Sequence, residues 1–153
     1  MVHRLRVVAI LAALAIAAFA SGVMPQNSTD KFEFTLSGSQ EVPSNNSTGS
    51  ATAEVKIVGD QLKVEFSFEG LTGPITGAHI HGPAPAGQNA GVIFNIVPGQ
   101  FPAGTGSPIE ATFPITEEQK QLIRSGQTYL NLHTTQFPGG EIRGQVLPEP
   151  DVD

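Results

Sequence analysis

The chain has 153 residues, with 8 Lys and Arg against 14 Asp and Glu, a net charge of -6 and no cysteine. That acidic balance argues against nucleic acid as a partner, because phosphate binding needs clustered cations, and it favours solubility. The lack of cysteine excludes a disulfide framework, a thiolate metal site and a blue-copper centre, so an exported domain of this sequence must be held by its core alone.

Residues 1–20 read as a secretory signal. Met1 to Arg6 is a basic n-region, Val7 to Phe19 is apolar, and Ala18-Phe19-Ala20 offers a small-residue cleavage site. The alternative is an uncleaved anchor, although spanning a bilayer normally takes about 20 apolar residues. Either way the protein is expected to be secreted, periplasmic or at the cell surface, with no membrane contact once the signal is cleaved. Losing Arg4 and Arg6 leaves 6 basic residues against 14 acidic ones, a net charge of about -8. Residues 21–30 form a polar lead-in. Asn27, Asn45 and Asn46 head N-x-S/T sequons and are glycosylation candidates in a host that glycosylates.

From residue 31 the apolar residues recur with period 2. Phe32, Phe34 and Leu36 make one stripe, Ala51, Ala53, Val55 and Ile57 a second, and Leu62, Val64, Phe66 and Phe68 a third. Gly59-Asp60, between the second and third, is a tight hairpin signal. A strand near 75–81 follows, then runs at Val92, Phe94 and Ile96 and at Ile109, Ala111 and Phe113. Short alternating strands with turn residues between them predict an all-β, antiparallel Greek-key β-sandwich or barrel spanning 31–147. The Gly/Pro segments Gly82 to Gly91 and Pro98 to Pro108 read as shaped coil without phosphate-loop character.

One short helix near 116–125 breaks the pattern: Thr116-Glu-Glu-Gln119 is a capping box and Gly126 suits the stop. Strands near 128–135 and 141–147 then form a closing hairpin. With Gln136 to Gly140 as its loop, Thr135 would face Glu141 and His133 would face Arg143, which puts Ile142 and Val146 with Leu130 and Leu132 in the core. Residues 148–153 are an acidic tail.

Every histidine beyond the signal lies in two of these strands. His79 and His81 share one strand face, and His133 lies on the face opposite Leu130 and Leu132, beside Tyr129 and Asn131. Neutral imidazole is the commonest zinc and copper ligand, so these three residues are the candidate metal ligands, provided the two strands are neighbours. The alternative is three histidines on a solvated polar face, or hydrogen-bonded to loops. All-nitrogen ligation suits copper, with zinc as the alternative.

Glu141-x-Arg143 is ordinarily a solvated pair of small energetic weight. The functional reading makes Arg143 a guide for an anion approaching an open metal position, with Glu141 and Asn131 orienting the ligand histidines. No Ser/His/Asp triad is readable, and no carboxylate is placed as the general base of a zinc hydrolase.

Ser39-Gln-Glu-Val-Pro43, Gly77-Ala-His-Ile-His-Gly-Pro-Ala84, Asn131-Leu-His-Thr134 and Phe137-Pro-Gly-Gly-Glu-Ile-Arg-Gly-Gln145 together resemble the CHRD domain, the module named after its repeats in chordin. The resemblance covers residues 31–147 and implies an extracytoplasmic β-rich domain. A weaker resemblance is to copper-zinc superoxide dismutase, a Greek-key sandwich with a His-x-His copper strand. On that analogy His79, His81 and His133 match copper histidines and Arg143 an anion-guiding arginine. The chain departs from that pattern in having no fourth histidine at the site, no zinc subsite and no disulfide.

The expected function is therefore an exported domain binding one copper ion through His79, His81 and His133, with a small anion or superoxide at the open position and superoxide dismutase-like or other redox activity. The alternative is a non-catalytic extracellular binding or adhesion module whose histidine face meets a protein or glycan partner.

Overall fold

Period-2 alternation becomes strand wherever the sequence carries it. The computed structural model describes residues 30–101 and 107–148. The signal segment, most of the lead-in with Asn27, and the acidic tail after Pro148 lie outside the described residues. The elements are β1 (Asp30–Ser37), β2 (Ser50–Val58), β3 (Gln61–Glu69), β4 (Ile75–His81), β5 (Val92–Phe101), β6 (Ile109–Pro114), α1 (Glu117–Arg124), β7 (Thr128–Thr134) and β8 (Ile142–Val146). One turn of 3-10 helix, Gly38–Gln40, follows β1.

All neighbouring strands are antiparallel, in one sheet ordered β5-β4-β7-β8-β1-β2-β3-β6. Because β3 pairs with β6 and β4 with β7, the chain crosses over in the Greek-key manner. The two edge strands come together again: Phe94 of β5 and Phe113 of β6 have ring centroids 5.2 Å apart. The sheet thus rolls into a nearly closed barrel, which removes most of the exposed edge. The apolar stripes of β1, β2 and β3 turn inward and meet Ala78, Ile80, Leu130, Leu132 and Ile142 from the other half.

Local signals act where they stand in the chain. Gly59 has φ 58° and Asp60, like every other non-glycine described, has negative φ, the combination of a II′ hairpin turn between Val58 and Gln61. Thr116 caps α1 and Gln119 returns the bond, completing the capping box. At the other end the N–H of Gly126 reaches Ile123 O and that of Gln127 reaches Leu122 O, a Schellman closure. Ile123 is buried under the barrel and Lys120 pairs with Asp60 at 2.8 Å, so α1 closes one end of the barrel against the β2–β3 turn.

Of three features, the first and third differ from the sequence expectation and the second adds to it. First, β5 runs on to Phe101, through the Pro98 and Gly99 expected to begin a loop. It is an edge strand, where a proline's missing N–H costs no ladder bond. Second, a register shift between Ile75 and Gly77 turns Ile75 into the core while the histidines face outward. Third, the last hairpin is paired two residues away from expectation, with Arg143 opposite Asn131 and Ile142 opposite Leu132. The longer loop is held by Thr134 N–H and Gly140 N–H on Phe137 O, and by Glu141 N–H on Leu132 O at 2.7 Å. A shift of two keeps every side chain on its face, so Ile142 and Val146 remain in the core.

Phe66 is 1% exposed at the centre of the core. Phe66→Ala is expected to lower the unfolding free energy by about 3 to 5 kcal/mol. Urea unfolding, with an unchanged slope, measures it.

Candidate metal centre

The outer face of β4, β7 and β8 carries His79, His81, Tyr129, Asn131, His133, Arg143 and Gln145, and loops cover much of it. Arg143 is 1% exposed, and Tyr129, Asn131 and Gln145 are buried too. The sequence presents this face as polar, which suggests solvent. In the folded chain it is a second, polar core, roofed by the segments between β1 and β2 and between β4 and β5.

Strand pairing brings the histidines together. β4 lies beside β7, with His79 opposite Asn131, His81 opposite Tyr129 and His133 opposite Gly77. Ring centroids of His79 and His133 are 4.8 Å apart, those of His79 and His81 5.5 Å, and those of His81 and His133 6.2 Å. One nitrogen from each residue lies within 4.8 Å of the others. Nitrogens bound to one ion at about 2.0–2.1 Å stand roughly 3.3 Å apart in a tetrahedral arrangement, so small ring rotations would place all three on one ion.

The hydrogen bonds identify which nitrogens are available. His81 Nδ1–H donates to Ala90 O at 3.0 Å, and His133 Nδ1–H donates to Pro138 O at 2.9 Å. Each ring is thereby held as the tautomer whose Nε2 carries a free lone pair, the form a metal takes. His81 Nε2, His133 Nε2 and His79 Nδ1 are all buried without a partner. Orphaned buried polar atoms cost about 1 to 3 kcal/mol each, and a bound ion would satisfy all three at once. Burial first, and then His133 and His81, push the His79 pKa down to about 4, while burial lowers that of His81. His79 is therefore a neutral, ligand-ready imidazole at neutral pH. The three histidines could hold a metal ion, and the donor set fits copper or zinc.

Gly77 belongs to this site although nothing in its chemistry announces it. A Cβ there would lie 2.9 Å from His79 Cε1 and 3.2 Å from its Nε2. The His79 ring lies over the bare backbone of Gly77 on its way to His133. Same-face spacing in Gly77-x-His79-x-His81 is the signal that could have revealed it.

A CHRD domain family model matches residues 32–146. The chain belongs to the CHRD domain family. No curated protein and no solved structure matches it. No helix among the described residues is long and apolar enough to cross a membrane.

In this CHRD domain the other residues singled out from the sequence have distinct places. The Arg143 guanidinium carbon lies 3.4 Å from the centroid of the Tyr129 ring, and Tyr129 stacks on His81 at 4.8 Å with the planes 1° apart. With β7 between β4 and β8, the three side chains form one layered stack. Arg143 also donates to Asn89 Oδ1 at 3.0 Å and Gln88 O at 2.7 Å, pinning the loop that supplies Ala90. A cleft of about 220 Å³ near Glu41 reaches Arg143 and Gln145 from outside. A larger groove, about 450 Å³, lies elsewhere, on the outer face of β1–β3, and no histidine lines it.

Glu141 is fully buried and touches no histidine. It accepts bonds from Ser47 Oγ, Thr72 N–H, Thr72 Oγ1 and Thr134 Oγ1, so it anchors loops. Asn131 donates to Glu41 Oε1 at 2.5 Å. The Asn45 carboxamide is engaged with Gly140 O, Glu141 O and Ser47 N–H, whereas Asn46 is exposed.

Glu41, in the segment between β1 and β2, is a buried carboxyl under the same roof. Burial raises its pKa from the usual 4.5 to about 7 against the lowering effects of Arg143, the Val42 backbone and Asn131. Below pH 4.5 the folded and unfolded chains both carry this proton; between 4.5 and about 7 only the folded chain keeps it, and ionisation in the fold is penalised above that. Its contribution to stability is expected to fall by about 3 kcal/mol as pH rises through that window. Glu41→Gln should flatten that slope in urea titrations at pH 4 to 8. Separately, Gly77→Ala should weaken Zn(II) and Cu(II) binding about tenfold, or about 1.4 kcal/mol, by displacing the His79 ring. Calorimetric titration of folded protein checks it.

Proposed function

We propose that this CHRD domain is an exported module that holds one copper ion on His79, His81 and His133, with redox chemistry toward a small anion such as superoxide at the ion's open position. The observation that carries the reading is the convergence of three buried imidazole nitrogens with no other partner, two of them fixed by backbone carbonyls as the ligand tautomer. Copper is preferred to zinc because copper lies above zinc in the affinity order of divalent ions for nitrogen sites. Export is supported by the signal-like N-terminus and by family membership.

Arg143 supports the anion part of the reading through its charge. Its guanidinium is stacked beside a ligand histidine's neighbour and makes no ion pair among the described residues. A buried cation at that distance favours a negatively charged visitor. Bound copper would supply one-electron chemistry; the chain supplies three fixed nitrogens, a positive field and partial exclusion of water.

Electron paramagnetic resonance during titration with Cu(II) tests the binding. A signal that saturates at one equivalent, shows several nitrogen couplings and is lost in His81→Ala is expected. A weak signal unchanged by His81→Ala would overturn the proposal.

A further inference from the structure

We infer that the three-histidine centre selects monovalent copper over divalent ions. The inference rests on the reading that a metal sits on these histidines and adds the charge and coordination state of the ion they prefer.

The first observation is the donor set. The cluster holds His79, His81 and His133 and, among the described residues, no carboxylate; the chain has no cysteine. Neutral imidazoles bring no negative charge to offset the ion. The two buried carboxyl groups nearby are committed elsewhere: Glu141 accepts four bonds from loop hydroxyl and amide groups, and Glu41 accepts from Asn131. Neither is free to turn and become a fourth ligand without abandoning those bonds.

The second observation is the sign of the surrounding charge. The formal charge stacked against the site is positive: Arg143 lies on Tyr129, and Tyr129 lies on His81. Asn89, Gln88 and Gln145, the groups that accept from Arg143, are neutral. All three candidate ligand atoms are buried. The cost of placing an ion in such a site grows as the square of its charge, so a divalent ion is penalised about four times as heavily as a monovalent one.

The third observation is number. Three converging nitrogens would give an ion a low coordination number. Divalent copper favours a tetragonal arrangement with a further strong equatorial donor, and among the described residues no fourth histidine and no carboxylate joins the cluster. Donor count, charge and burial all point the same way, toward a centre that holds reduced copper.

The test is an anaerobic titration of the folded chain with Cu(I) against bicinchoninate, alongside competition titrations with Cu(II) and Zn(II), each repeated on His81→Ala and His133→Ala. Cu(I) is expected to bind at least about 100-fold more tightly than Cu(II), which places the couple about 120 mV above that of the aqueous ion. Both variants should lose Cu(I). If Cu(II) or Zn(II) binds as tightly as Cu(I), and the variants still weaken it, the selectivity is overturned while the metal reading stands. If no ion's affinity changes in either variant, both are overturned.

Discussion

Burying the outer face of β4, β7 and β8 is the constraint on which the rest of the site depends. A charged sheet face can be roofed only if each group on it finds a partner, because an unpaired buried charge costs several kcal/mol. Arg143 and Glu141 meet that condition in complementary ways. Arg143 presents its guanidinium to the Tyr129 ring and to loop acceptors at Gln88 and Asn89. Glu141 gathers Ser47, Thr72 and Thr134. One residue holds the β4–β5 loop down, and the other holds the β1–β2 and β3–β4 loops. Glu141 immediately precedes β8 and Arg143 lies within it, so one short stretch of chain ties three loops to the sheet.

Against this background of satisfied groups the three histidine nitrogens stand out. The same roof that pairs Arg143 and Glu141 supplies Ala90 O to His81 and the β7–β8 loop supplies Pro138 O to His133, yet the opposite nitrogens receive nothing. Thr128 Oγ1 is the other buried orphan side-chain atom among the described residues. The buried carboxylates find partners while three imidazole lone pairs are left facing one another, an arrangement that could hold a metal ion.

Much of this was legible in the residues. The stripes from Phe32 to Phe68, the Gly59-Asp60 turn and the Thr116 capping box are local signals, and local signals carry their geometry with them. The His-x-His spacing likewise gave one strand face. What the residues could not convey was set by long-range pairing. That β4 lies beside β7, bringing His133 to His79, follows from a crossover that leaves no mark in either strand. The register of the last hairpin differs by two from the one its residues suggest because Thr134 and Glu141 bond across the loop instead of Thr135 pairing with Glu141 in the ladder. The roof is hidden in the sequence for a related reason: Arg143, Gln145 and Asn131 look solvated until the loops that cover them are placed, and Glu41 looks exposed until its loop is folded inward.

The placement of the ligands on strands and of their supporting carbonyls on loops has a consequence for how such a centre behaves. Strands hold His79, His81 and His133 in fixed relation, which favours a precise ligand geometry. The carbonyls that set the tautomers of His81 and His133 belong to the loops Gly82–Gly91 and Thr135–Gly140, outside the strands. Tyr129 joins the two levels: its ring stacks on His81 while its hydroxyl accepts from Ala90 N–H at 3.1 Å. Loosening the β4–β5 loop would therefore free the His81 ring to rotate and exchange tautomers even with the barrel intact. Any affinity of the three histidines for a metal ion would thus be coupled to the order of that loop through one aromatic ring, with Arg143 stacked on that same ring.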